Sequence, residues 1–239
     1  MSDHGRPSDA RRRLIVALDF TELAPALATA KQLRGIVETV KVGSALFTAC
    51  GPVIVRRLRR LGFGVMLDLK FFDIPTTVEL SCRAAARHQV ALLTVHAAGE
   101  PAMLEAAVQG AKREAARRRT RRPLILSVTV LTSIGGGSKT RRVLALAQRA
   151  VTAGCDGVVA SADEAAALRQ RFGRRLHIVC PGIRPAGAGA GDQRRVATPA
   201  QALARGADRI VVGRPITAAR NPRAAAVAIL NEMEGGDGC

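Results

Sequence analysis

A single (β/α)8 TIM barrel, an α/β fold, is predicted by three observations. Eight short, β-branched apolar runs recur along the chain, helix-forming stretches separate them, and polar residues gather at the carboxyl ends of the runs. The 239 residues, 48% hydrophobic and 23% charged, suffice for one sizeable core.

The runs are LIVALD (14 to 19), TVKVG (39 to 43), GVMLDLK (64 to 70), LLTVHA (92 to 97), LILSVTVL (124 to 131), GVVAS (157 to 161), HIVCPGI (177 to 183) and RIVVGR (209 to 214). They are continuous rather than alternating, as parallel strands buried on both faces require. Stretches rich in Ala, Leu, Gln and Arg, such as 22 to 34, 101 to 117, 141 to 153 and 162 to 171, supply the helices. The competing architecture is an open doubly wound sheet. Its dinucleotide fingerprint is missing, because GAGAG at 187 to 191 lacks the G-x-G-x-x-G spacing and follows PGIRP instead of opening a helix. GGGSKT at 135 to 140 is not a P-loop, since Ser138 separates the glycines from Lys139, and it reads as a flexible loop after the fifth strand. The barrel is assigned to residues 14 to 232. The basic tail 1 to 13 and the tail 233 to 239 read as disordered.

No run of 18 apolar residues is present, and only five apolar residues follow Arg11, Arg12 and Arg13 before Asp19, so neither a membrane span nor a signal peptide is expected. Five scattered cysteines without a C-x-x-C pair point to a reducing cytoplasm and away from a disulfide framework. Four histidines without ligand spacing predict no protein-held metal. The net charge of +18 raises nucleic-acid binding as an alternative, but Trp and Tyr are absent and aromatics make up 3%, so base-stacking platforms are scarce. The charge reads as a solvated basic surface that also steers an anionic substrate.

The chemistry lies where barrel enzymes place it. Asp19 ends the first strand, Lys41 lies in the second, Asp68, Lys70 and Asp73 close the third, and Arg214 ends the eighth. Asp68 and Lys70, two apart on a strand, share the face that looks into the barrel. Asp73 lies beyond the strand end and can serve a neighbouring subunit's site. With Lys41, the residues Asp68, Lys70 and Asp73 supply two cations and two anions, and four charges are a costly way to stabilise a fold. An ammonium group flanked by carboxylates in a largely dry pocket can instead stabilise and then protonate a carbanion. The loop PGIRPAGAGAGDQRR (181 to 195), with Arg184 and Gln193, and the Gly213–Arg214 pair after the eighth strand match the usual phosphate site of barrels. The small residues of that loop also suit a lid.

These motifs carry a resemblance. DLKFFDIPTTV (68 to 78) looks like the D-x-K-x-x-D-I-P-x-T signature of orotidine 5′-phosphate decarboxylases, and PGIRPAGAGAGDQRRVATP (181 to 199) resembles the phosphate loop of their bacterial branch. VALD, VKVG, VTVLTS and VVGRPIT match in order, from about Leu14 to about Thr217. The resemblance implies cofactor-free decarboxylation of orotidine 5′-phosphate to UMP and CO2, the last step of de novo pyrimidine nucleotide synthesis. It implies that Asp19 and Lys41 hold the ribose hydroxyls, that Asp68, Lys70 and Asp73 form the charged network with Lys70 protonating C6, and that Thr132 contacts the pyrimidine. Arg184, Gln193, Gly213 and Arg214 correspond to substrate or phosphate contacts. Asp73 and Thr77 correspond to residues that enter the partner's site in a homodimer. The segment after Thr132 is shorter than its bacterial counterpart. A related barrel, the magnesium-assisted sugar-phosphate decarboxylase or aldolase, shares D-x-K-x-x-D, but IPTT after Asp73 and the GDQRR loop favour the nucleotide.

Overall fold

The computed structural model describes residues 9 to 130, 139 to 185 and 197 to 235. Eight parallel strands close into a barrel in chain order: β1 (Leu14–Ala17), β2 (Thr39–Gly43), β3 (Gly64–Phe71), β4 (Leu92–His96), β5 (Leu124–Val128), β6 (Gly157–Val159), β7 (His177–Cys180) and β8 (Arg209–Val212). Closure is made by β1 against β8, with Ile15 opposite Val211 and Val16 opposite Val212. Helices connect successive strands, and β-branched residues dominate the strands because they pack well on a pleated surface.

Strand alternation divides the core in two. Ile15, Ala17, Met66, Leu126, Val159, Val179 and Val211 are among the residues that fill the barrel's interior. Leu14, Val16, Val40, Val65, Leu93 and Ile125 point outward into the layer shared with the helices. Each fully buried aliphatic side chain contributes roughly 1.5–3 kcal/mol. Both layers are needed, because a parallel sheet has no face that tolerates water.

Three boundaries differ from the sequence expectation. Asp9–Arg13, assigned to the tail, form a short helix with Ala10 buried. Arg13 ties it down, donating from Nη2 to the Ala207 carbonyl at 2.9 Å and from Nε to that of Asp208 at 3.3 Å. Arg214 does not end the eighth strand: the chain turns at Gly213, and Arg214 opens the short helix Arg214–Thr217 with Pro215 in its first turn. The last helix, Pro222–Gly235, runs past residue 232. Of the glycine-rich stretch after β5, residues 135 to 138 lie outside the described residues, and Thr140 begins the helix Thr140–Thr152.

Candidate active site

The carboxyl ends of the strands surround a cavity of about 230 Å3 lined by Asp19, Lys41, Asp68 and Lys70 on one side and by Val128, Val159 and Gly182 on the other. The charged side chains are chained together. Lys41 Nζ donates to Asp19 Oδ1 at 2.8 Å and lies 3.8 Å from Asp68 Oδ2. Lys70 Nζ donates to the same Asp68 oxygen at 2.9 Å. Signs therefore alternate along the row Asp19, Lys41, Asp68, Lys70, which is what allows four charges to share one pocket.

Local backbone chemistry sets this row. The register of β3 against β4 shifts between Leu67 and Phe71, and within the shift Lys70 adopts φ 51°, in the left-handed region. For a residue with a Cβ that conformation costs on the order of 1–3 kcal/mol and persists only when its surroundings enforce it. Thr94 enforces it: its Oγ1 accepts the Lys70 backbone N–H at 2.9 Å and donates to Asp68 Oδ1 at 2.9 Å. Thr94 is fully buried. Gly43 lies close beside the row: a Cβ there would stand 3.3 Å from Lys41 Nζ and press on that ammonium group.

Sequence reasoning missed Thr94 and His96. The signal was a polar residue at every second position of LLTVH, the interior-facing set of β4 that begins with Leu92. The His96 ring lies 5.5 Å from that of Phe72, and its Nδ1 accepts from the Ala98 N–H at 3.2 Å. Burial and then the Lys70 charge push its pKa below the usual histidine value, which favours the neutral ring.

Of the residues expected at a phosphate end, Arg184, Gly213 and Arg214 are among the described residues. Arg184 is buried, and desolvation together with the charge of Arg214 lowers its pKa, which places the two guanidinium groups within electrostatic reach. A Cβ on Gly213 would lie 3.5 Å from Asp19 Oδ2, so the start of the Arg214 helix adjoins the Asp19 end of the row. Thr132 and Gln193 lie outside the described residues. Asp73 and Thr77 do not enter the row within one chain. Asp73 Oδ1 accepts from the Ile74 N–H at 2.7 Å, and both residues are exposed on a rim that also displays Phe72, Ile74 and Leu80.

A closed parallel barrel carrying an acid–base row at its mouth, with the Arg184 and Arg214 cations in the same chain region beyond the last two strands, defines the class: a (β/α)8 enzyme. The chain belongs to the orotidine 5′-phosphate decarboxylase / HUMPS family, whose model matches residues 12–229. A curated relative, orotidine 5′-phosphate decarboxylase of Halorhodospira halophila, is 53% identical over 230 residues, covering 92% of this chain and 95% of the relative. The enzyme of the same name from Teredinibacter turnerae is 46% identical over 231 residues, covering 93% and 97%. Among solved structures, orotidine 5′-phosphate decarboxylase from Lactobacillus acidophilus superposes with a TM-score of 0.80 at 36% identity, covering 93% of this chain and 99% of that one.

Proposed function

We propose that the chain decarboxylates orotidine 5′-phosphate to UMP and CO2 without metal or organic cofactor, the last step of de novo pyrimidine nucleotide synthesis. The observation that carries the reading is the Lys70–Asp68 contact at 2.9 Å, held by Thr94 at the barrel mouth within the alternating row. The C6–carboxylate bond breaks, CO2 departs, and the electron pair left on C6 takes a proton from the Lys70 ammonium group. The resulting amine recovers a proton from water. A cation already in position stabilises the developing carbanion without reorganisation. Asp68 beside the departing carboxylate favours its loss by repulsion. Asp19 and Lys41 hold the ribose hydroxyls, and Thr132 contacts the pyrimidine. Arg184, Gln193, Gly213 and Arg214 bind the phosphate end, so that remote binding energy orients the base.

The reading extends to a homodimer in which Asp73 and Thr77 complete the partner's site. Its support is the exposed apolar rim of Phe72, Ile74 and Leu80 around two polar residues that their own chain's row does not use. A cytoplasmic location is supported by five scattered cysteines without a C-x-x-C pair. The test is the ultraviolet absorbance change of orotidine 5′-phosphate on adding the purified protein, with and without a strong chelator. Chelator-insensitive conversion to UMP is expected. Turnover of a keto-sugar phosphate that requires magnesium, with none of the nucleotide, overturns the reading.

A further inference from the structure

The amino-terminal face of the barrel, opposite the mouth, carries a second cavity of about 400 Å3. Its walls bring together basic residues from three separate places in the chain: Arg59 from the helix before β3, Arg121 and Arg122 from the approach to β5, and Arg209 from the first position of β8. Val90, Leu92 and Leu124 form an apolar floor.

The charges here are unequal in their commitments. Arg122 is neutralised by a two-pronged pair with Asp156, at 2.6 and 2.7 Å. Among the described residues, Arg59, Arg121 and Arg209 form no ion pair. The carboxylates whose charge reaches Arg209 are Glu38 and Asp208. Both are committed elsewhere, Glu38 to Arg12 at 3.2 Å and Asp208 to Arg169 at 2.7 Å. Arg209 alternates with the interior residue Val211, so its stem is drawn into the barrel's end. Desolvation lowers its pKa, with the Arg121 charge acting in the same direction. A second unsatisfied group lines the same cavity: the Thr120 hydroxyl is buried with no hydrogen-bond partner. Arg209, half-buried and without an ion pair, is the cation here that an anion would relieve most, with the exposed Arg59 and Arg121 beside it.

We propose that this cavity is a binding site for a small polyanion of the di- or triphosphate class, separate from the mouth site. Guanidinium forks match phosphate oxygens in pairs. The space exceeds that of a single water or chloride and is closed on one side, which suits a compact ligand rather than a nucleic-acid duplex.

The probe is inorganic pyrophosphate, titrated calorimetrically at constant ionic strength into the full-length protein. To separate the two ends of the barrel, the titration is run in an Arg214→Ala background, which weakens the proposed phosphate end of the mouth, and the two substitutions below then report on the second cavity alone. Saturable binding near one pyrophosphate per chain is expected to persist there. Adding Arg59→Gln and Arg121→Gln, both exposed residues whose side chains support no part of the core, is expected to weaken it at least about tenfold, on the scale of one charge-assisted bond lost. Circular dichroism establishes that the variants are folded. Loss of all binding in Arg214→Ala alone, undiminished binding after the two Gln substitutions, or an equal response to chloride each overturns the proposal.

Discussion

Replacing Thr94 with valine preserves the shape of a fully buried side chain and deletes the hydroxyl that organises the charged row. Two contacts are lost together, the 2.9 Å donation to Asp68 Oδ1 and the 2.9 Å acceptance from the Lys70 N–H. A hydrogen bond to a charged acceptor is worth about 1.5–3 kcal/mol and a neutral one about 0.5–1.5. Water entering the open mouth recovers part of that sum, leaving a stability loss of about 1–2 kcal/mol, or a Tm fall of roughly 2–8 °C for a chain of this size. The catalytic effect is larger. Lys70 is held at φ 51° by the contact that disappears, and relaxation of that strained backbone moves the ammonium group. A displacement of about 1 Å at a reacting group costs on the order of 10²-fold, or about 2.7 kcal/mol in the barrier. The loss should fall on kcat with KM within about threefold, because Arg184 and Arg214, the proposed phosphate contacts, lie at another part of the mouth. Thr94→Ser, which retains both bonds, should stay within about tenfold of the parent. The assay is initial-rate absorbance with orotidine 5′-phosphate, paired with thermal unfolding. A folded Thr94→Val protein with unchanged kcat would refute the reasoning that Thr94 positions Lys70.

Lys70→Ala should abolish decarboxylation while circular dichroism and Tm remain near the parent's, and near-normal turnover would remove Lys70 from the proton transfer. Mixing inactive Lys70→Ala and Asp73→Ala subunits should restore part of the activity if the site is shared across a dimer; no recovery after demonstrated subunit exchange counts against sharing. Glu114 is enclosed by Arg83, Arg87, Arg117 and Arg118, and its hydrogen bonds to Arg117 and then Arg118 hold its carboxyl well below the usual range. A depressed folded-state pKa means that the unfolded chain binds the proton first, so this stabilisation is complete above the unfolded value near 4.5 and fades as pH falls further. Urea titrations should therefore show Glu114→Gln less stable than the parent at pH 7, with the difference narrowing toward pH 3; a gap independent of pH would exclude the linkage.

Much of the barrel and its charged row could be read from the residues alone, for physical reasons that differ by element. Buried parallel strands must be continuously apolar, so any charge in such a run, as at Lys41, Asp68 and Lys70, stands out. Thr94 did not, because threonine is an ordinary strand former and its role depends on a register shift between β3 and β4 that periodicity cannot reveal. The end of β8 was misjudged for a similar reason: VVGR reads as a strand, and only the turn at Gly213 puts Arg214 into a helix. The helix Asp9–Arg13 was hidden because an Arg-rich segment resembles a solvated tail, while its anchor is a pair of carbonyls almost two hundred residues away. The second cavity was invisible in sequence, since Arg59, Arg121 and Arg209 belong to separate segments that only the closed barrel brings together.

Barrel closure also has a temporal meaning. Asp19 follows the first strand and Gly213 the last, and they become neighbours only when β1 and β8 pair. That contact is among the most distant in sequence that the fold contains, so the loop entropy it must overcome defers it behind the local strand and helix pairings. Until β1 and β8 pair, the junction between the Asp19 end of the row and the Arg214 helix does not exist. Where its rate is independent of protein concentration, so that subunit association is not limiting, recovery of ligand binding during refolding then serves as a clock for the ring-closing event, while far-ultraviolet circular dichroism records the growth of helix and strand.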